Sequence, residues 1–374
     1  MKYYIIAGEA SGDLHGSKLI SALKEVDQDA NFQVWGGDLM EAAGATLNKH
    51  YRDLAFMGFL EVVKNLKTIL RNFDICKKAI LEYQPDVLIL IDYPGFNLRM
   101  AKWAKKKGIK VFYYISPQIW AWHSSRVHQI KEVVDRMFVI LPFEKAFYEK
   151  YQVQVDFVGH PLLDSLIDIE LDPDFRQKHQ LSQKEIIALL PGSRRQEISK
   201  MLEKMLTMVS QFSNYQFIIA GAPSIPKSYY QSLLQQASLE NLQVKIVEGV
   251  TYQLLRQAKA ALVTSGTATL ETALLDVPQV VCYTGNSLSY RIAKRLINVD
   301  YISLVNLILN RPLVTELIQA DFNKEKLTTS LQHILQEENA QKIKEGYIAL
   351  KEKLGNQGAS NRTAELMWGY LQEA

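Results

Sequence analysis

Short runs of β-branched and aromatic residues alternate with segments of helical period, and this alternation occurs twice along the chain. Residues 3–7, 33–35, 87–91, 110–115, 136–140 and 155–158 form the first series of expected strands. Leu19, Ile20, Ala22, Leu23 and Val26 mark one face of a helix between the first two. Residues 186–190, 216–220, 243–247, 260–264 and 279–283 form the second series. Strands that are apolar throughout are covered on both faces, which is the arrangement of a parallel sheet between helices. The expected class is therefore α/β, with two Rossmann-like doubly wound domains facing a central cleft at the carboxyl ends of both sheets, where such folds bind ligands.

A length of 374 residues suits two domains better than one core. After Gly159-His160-Pro161, the polar, acidic residues 164–183, which contain Pro173, read as the passage between them. The expected division is 1–163 and 164–344. Residues 324–374 read as helix throughout, with Leu327, Leu331, Ile334 and Leu335 on one face. The last part, about 345–374, is expected to pack back on the first domain.

Several classes of function are set aside by composition. The net charge of +3 is too small to imply nucleic-acid binding. Cys76 and Cys282 are far apart and build no disulfide framework, which fits a reducing compartment. His123 and His128 miss the helical spacing of a metal pair. The apolar run inside residues 1–8 is too short for a signal peptide, and no apolar stretch approaches the roughly 18 residues of a membrane span. A cytoplasmic protein is expected, able to sit on a membrane surface.

Loops that follow the strands carry the candidate chemistry. After the first strand come Gly8, Glu9, Ser11, Gly12, Asp13, His15 and Gly16. The small residues permit a tight turn into a helix whose amides face a ligand, while Glu9, Asp13 and His15 exceed what a turn requires. Capping alone is the competing account. Asp92 ends a strand of five apolar residues, so it is partly desolvated, and desolvation makes a carboxylate a better base. A turn aspartate capping the next helix is the alternative. Residues 116–122 place Trp120 and Trp122 beside Pro117, as core or as the wall of a sugar or acyl site.

In the second half, Gly192, Ser193 and Arg194 close a strand and open a helix, a place for backbone amides and a guanidinium to hold phosphate. Glu197 is a favourable first-turn charge. Ser265, Gly266 and Thr267 repeat the arrangement, with Glu271 one turn on, able to accept ribose hydroxyls. Two such loops in one domain indicate a nucleotide. Asp27-Gln28-Asp29 and Asp172-Pro173-Asp174 match an Asp-x-Asp metal motif only superficially, because neither follows a buried strand.

Met57, Phe59, Leu60 and Val63, followed by Lys64, Lys67, Arg71, Lys77 and Lys78, combine an apolar patch with cations. Lys102, Lys105, Lys106 and Lys107 form another basic cluster. Such a surface can dock on anionic lipid, or it can be a helix with one buried and one solvated face.

Together these motifs resemble the lipid-A-disaccharide synthase family of Gram-negative bacteria. The resemblance rests on residues 8–13 (GEASGD), Gly36-Gly37-Asp38, residues 57–62, Asp92 to Asn97, Ser116 to Trp122, Val158-Gly159-His160-Pro161, Leu190 to Arg194, Ser265 to Glu271, residues 301–304, Asn306 and residues 316–319. It runs in order from residue 5 to about 320. It implies a two-domain glycosyltransferase of the GT-B type acting without a cofactor. The donor would be UDP-2,3-diacylglucosamine and the acceptor 2,3-diacylglucosamine 1-phosphate (lipid X). The products would be the β-1′,6-linked disaccharide 1-phosphate and UDP, with inversion, on the cytoplasmic face of the inner membrane. Asp92 would be the base for the acceptor 6-hydroxyl, and Arg194 with the helix N-terminus after Ser265 would stabilise departing UDP, so no divalent cation is needed. Glu9 and Asp13 would join them at the catalytic centre, with Asn306, Glu316 and Gln319 positioning sugar or nucleotide. Two positions depart from the family's usual pattern: Val305 stands where Pro is common, and Thr284 where a Lys or Arg follows the tyrosine, removing one possible phosphate contact. A UDP-sugar epimerase of the same fold, or a non-catalytic nucleotide-sugar binding protein, are the other readings.

Overall fold

A computed structural model describes residues 1–54, 66–122, 125–166, 172–236, 244–285 and 300–373. They form two compact units, Met1–Asp164 with Leu354–Ala374, and Ser165–Lys353.

The first unit is built on β1 (Lys2–Ala7), β2 (Asn31–Gly36), β3 (Thr46–His50), β4 (Val87–Ile91), β5 (Lys110–Tyr114), β6 (Arg136–Val139) and β7 (Asp156–Phe157). They pair in parallel in the order β3-β2-β1-β4-β5-β6-β7. In the second unit are β8 (Ile186–Leu190), β9 (Gln216–Gly221), β10 (Lys245–Glu248), β11 (Ala258–Thr264), β12 (Gln279–Tyr283) and β13 (Thr315–Ile318). Their order, β10-β9-β8-β11-β12-β13, is again that of a doubly wound sheet, and all its pairs are parallel.

Burial explains the sheets. Every residue of β4 and of β8 is buried, as a strand covered by helices on both faces requires. At about 1.5–3 kcal/mol per large apolar side chain, such strands dominate the stability of each unit. On the helix Ala10–Val26, Leu19, Ile20, Ala22 and Leu23 are buried against this core. Two strands escape the sequence pattern, β3 and β13. Both lie at sheet edges and are half-exposed, so neither needs an apolar run.

Residues 324–374 are not one continuous helix. They form the helices Lys324–Leu335, Glu337–Leu354 and Ala359–Gln372. The second break falls where Gly355 and Gly358 adopt left-handed backbone (φ 85° and 91°), which only glycine takes without strain. Residues 345–353 stay with the second unit, because the buried Tyr347 donates its hydroxyl to Val277 O (3.1 Å) and accepts from Gln279 Nε2 (3.2 Å). The final helix belongs to the first unit. Asp164 caps it from a distant part of the chain, accepting from the amides of Gly358 (2.6 Å) and Ser360 (3.2 Å).

Candidate active site

In a doubly wound sheet the strand order reverses at one point, and the loops on either side part to leave a crevice. In the first unit that point lies between β1 and β4, where Ala7 stands beside Ile91. The next residues along the two strands are Gly8-Glu9 and Asp92-Tyr93. In the second unit it lies between β8 and β11, with Leu190 beside Val263, so the loops from Gly192 and Ser265 flank it. Each pair of loops singled out by residue type therefore sits at a switch point.

Around Asp92 the backbone is strained. Asp92, Tyr93 and Ile115 have φ of 43°, 49° and 64°, the left-handed region that costs a non-glycine residue about 1–3 kcal/mol. Surrounding bonds hold the turn in place. The Asp92 carbonyl accepts from Tyr113 Oη (2.5 Å) and Asn97 Nδ2 (2.7 Å), while its amide donates to Tyr114 O (3.3 Å). Below it, Phe96 stacks on Phe73, Trp35 and Tyr93. A cavity of about 360 Å³ opens here, lined among others by Asp92, Ser116, Gln118, Arg126 and Glu144.

Two carboxyls face this cavity with raised pKa. Burial, and then the negative charge of Glu9, push Asp92 up to about 6, against a bond from the Tyr93 amide. Burial pushes Glu144 up to about 7, although the amides of Leu141 (2.9 Å) and Ile140 (3.2 Å) donate to its carboxylate. Glu144 and Arg126 are not evident in the sequence. In the structure Pro142 and Glu144 open the helix Pro142–Glu149, which follows β6, so its third residue reaches the carboxyl end of the sheet.

The residues of the first loop stand outside the lining of this cavity. Asp13 is buried with its carboxylate taken up by the amides of Gly37 (2.8 Å), Leu39 (3.1 Å) and Met40 (3.0 Å), so it fastens the helix Asp38–Ala42. Gly12 packs on Ala7, and Ser11 is exposed on the first helical turn. His15 is buried and held neutral, its pKa lowered to about 4 by burial and then by Lys18. Glu9 is half-buried at the helix N-cap, beside Asp92.

In the second unit Gly192, Ser193, Arg194, Ser265, Gly266, Thr267 and Glu271 line one cavity of about 430 Å³. The helices Arg195–Leu206 and Thr267–Leu274 begin there, so two positive helix ends meet. Gly192 has φ 110°, and a β-carbon on it would lie 2.3 Å from Glu197 Oε2. Glu197 in turn accepts from Ser193 N (3.1 Å), which makes it the brace of this loop. Glu271 accepts from Tyr252 Oη (2.8 Å), and burial raises its pKa.

Asn306, Glu316 and Gln319 do not line that cavity. Asn306 is buried with its amide fully satisfied: Oδ1 accepts from Leu313 N (2.9 Å) and Val314 N (3.0 Å), and Nδ2 donates to Val314 O (2.8 Å) and Glu316 Oε1 (2.9 Å). Glu316 also accepts from Ile302 N (2.9 Å), Ser303 N (3.0 Å) and Ser303 Oγ (2.7 Å). Ser265 Oγ donates to Ile302 O (2.9 Å), so the pair supports the phosphate-type loop from behind. Gln319 carries left-handed backbone (φ 55°), and its buried Nε2 has no partner among the described residues.

Both Asp-x-Asp segments have protein partners. Asp27 accepts from the amino terminus (2.8 Å) and Tyr3 Oη (3.0 Å), and Asp172 pairs with Lys178 (2.8 Å). Trp120 meets Phe143 edge-on at 4.9 Å. Of the expected lipid-facing residues, Met57, Phe59, Leu60, Val63 and Lys64 lie outside the described residues, and for Lys67 only its place in the helix Leu66–Tyr83 is described. That helix exposes Leu70, Ile75 and Leu81, while Phe73, Cys76 and Ile80 are buried. In the second basic cluster Lys105 is paired with Asp135. No helix among the described residues is long and apolar enough to cross a membrane.

Comparison with known proteins gives matches over nearly the full chain. Residues 3–368 match the family model described as lipid-A-disaccharide synthetase. The lipid-A-disaccharide synthase of Syntrophus aciditrophicus is 41% identical over 96% of this chain and 95% of its own length. That of Geobacter metallireducens is 38% identical over 97% and 95%. Among solved structures, the UDP-GlcNAc 2-epimerase of Neisseria meningitidis bound to UDP-GlcNAc superposes with a TM-score of 0.67 over all of both chains at 12% identity. The glycotransferase of kitacinnamycin gives 0.65 over 99% of each at 14%. These two share the fold.

Proposed function

The chain belongs to the lipid-A-disaccharide synthetase family, and we propose that its two cavities divide one glycosyl transfer between them. It is a glycosyltransferase of the GT-B fold. The acceptor, 2,3-diacylglucosamine 1-phosphate, binds at the Asp92 cavity. The donor, UDP-2,3-diacylglucosamine, binds with its diphosphate at the 430 Å³ cavity of the second unit.

The acceptor 6-hydroxyl attacks the anomeric carbon of the donor sugar from the face opposite the nucleotide. The bond from that carbon to the phosphate oxygen breaks, UDP leaves and the configuration inverts. Asp92 takes the hydroxyl proton, and its raised pKa makes it a stronger base that is still ionised at neutral pH. Charge growing on the departing diphosphate meets Arg194 and the amides at the two helix starts. Glu271, half-buried at the rim, accepts ribose hydroxyls. The observation that carries this reading is the placing of Asp92 at one switch point and of both phosphate-type loops at the other.

We also place the first unit on the cytoplasmic face of the inner membrane, where acyl chains of both substrates reside. The exposed Leu70 and Leu81, with Arg71 and Lys78 beside them on the helix Leu66–Tyr83, support contact with anionic lipid.

The test is incubation with both lipid substrates in detergent. Wild type should release UDP and form disaccharide, and Asp92→Ala should lose roughly 10² or more in rate. Epimerised donor without any disaccharide would replace this reading with that of an epimerase.

A further inference from the structure

Beyond the base, the acceptor cavity holds charged groups that the transfer chemistry does not use. Asp92 and Glu144 both face it, yet its occupant, on the reading above, carries a phosphate monoester of charge close to −2. Two carboxyls alone would repel such a ligand. Among the described residues that line it, Arg126 is the one cation. It stands at the start of the helix Arg126–Val133, is exposed, and makes no ion pair among the described residues. Its charge also reaches Tyr113, whose hydroxyl is bonded to the Asp92 carbonyl.

The chemistry of the acceptor fits this layout. Its 6-hydroxyl, carried on C5 through C6, and its anomeric phosphate on C1 flank the ring oxygen, so separate groups on different elements around one cavity can recognise the two. Asp92 follows β4, and Arg126 opens the second helix after β5. A guanidinium suits a terminal phosphate because its fork can donate two parallel bonds to a pair of oxygens. We propose that Arg126 binds the anomeric phosphate of the acceptor and is the residue that makes the enzyme select a phosphorylated sugar over its dephosphorylated form. This rests on the acceptor assignment made above.

The experiment compares wild type, Arg126→Ala and Arg126→Lys on two acceptors, the 1-phosphate and the same diacylglucosamine with a free anomeric hydroxyl. Arg126→Ala should lower kcat/KM for the phosphorylated acceptor by roughly 10²-fold, mainly through KM. It should lower the slower reaction with the dephosphorylated acceptor far less, so that discrimination between the two collapses. Arg126→Lys should restore part of it. The donor KM and the melting temperature should stay at wild-type values, as befits an exposed side chain. Equal losses on both acceptors, or intact discrimination in Arg126→Ala, would overturn the proposal. Direct titration of the two acceptor lipids in detergent separates this from the function itself. If wild type forms no disaccharide, the assigned reaction fails. Preferential binding of the phosphorylated lipid, lost in Arg126→Ala, would still uphold the anion subsite, and equal binding of both lipids would refute it.

Discussion

The ring of Tyr93 lies against the backbone of Gly8, so closely that a β-carbon on Gly8 would fall 2.3 Å from Tyr93 Cγ. This contact joins the ends of β1 and β4 at the switch point, and Tyr93 follows Asp92 directly in the strained turn. Gly8→Ala must push the ring away and carry the turn with it. We expect kcat to fall at least tenfold and stability by about 1–3 kcal/mol, the usual cost of overpacking. Wild-type kcat in the Gly8→Ala variant would show that the placing of Asp92 does not depend on this contact.

Asp92, the proposed base, has its pKa pushed up to about 6, so it is ionised above that pH and protonated below it. The rate should fall on the acid side with an apparent pKa near 6. Glu9 contributes to the raised value through its negative charge. Glu9→Gln should therefore move the acid limb to lower pH, which a pH–rate profile reads directly.

The same shift has a consequence for stability. A carboxyl whose folded pKa is raised favours the fold when protonated. That advantage is present in full below the unfolded value near 4 and is lost as pH rises through about 6. Asp92→Asn should therefore be inactive and also more stable at pH 8, by about 1–2 kcal/mol after allowance for solvent screening, with little gain at pH 4. Thermal melts at the two pH values check the sign.

Asn306 and Glu316 look like ligand residues by type, yet they act on backbone. Asn306→Ala strands two amides, those of Leu313 and Val314, at about 1–3 kcal/mol each if they find no water. The melting temperature should drop and the donor KM rise together, because Ser265 is tied to the segment they support. A higher KM with an unchanged melting temperature would mean that Asn306 touches the donor directly.

What can be read from residue order follows from what each signal depends on. β4 and β8 are strings of only five apolar residues, closed by Asp92 and Pro191, and a run that short between such stops fits a doubly covered strand and not a buried helix. Asp92, Gly192 and Ser265 are legible because each follows such a strand, and strand ends set their place. β3 and β13 are not, since an edge strand tolerates Lys49 or Glu316. Asp13 reads as a ligand group because its partners are amides more than twenty residues away, which no local pattern reveals. Glu144 and Arg126 are hidden for the opposite reason. Glu144 fits the ordinary pattern of a helix start, Arg126 carries no local signal at all, and only the sheet brings them to the cavity of Asp92.

Leu70 and Leu81 are 52% and 50% exposed on the helix Leu66–Tyr83. Eleven residues are about 20° more than three full turns, so the two leucines share a face, away from the buried Phe73, Cys76 and Ile80. Ile75, 41% exposed, lies about 140° around the helix from Leu70 and serves as a control. If this face enters the headgroup region, each half-buried leucine gives about 1 kcal/mol of partitioning, and the neighbouring Arg71 and Lys78 make it sensitive to charge. The pair Leu70→Gln and Leu81→Gln should then lower partitioning onto phosphatidylglycerol vesicles about tenfold or more, and 0.5 M salt, roughly, should weaken wild-type binding. Ile75→Gln should change little. Turnover of substrates held in detergent should survive the double substitution, because the leucines stand outside both cavities. Should the double variant float with vesicles as wild type does, this helix is not the lipid contact.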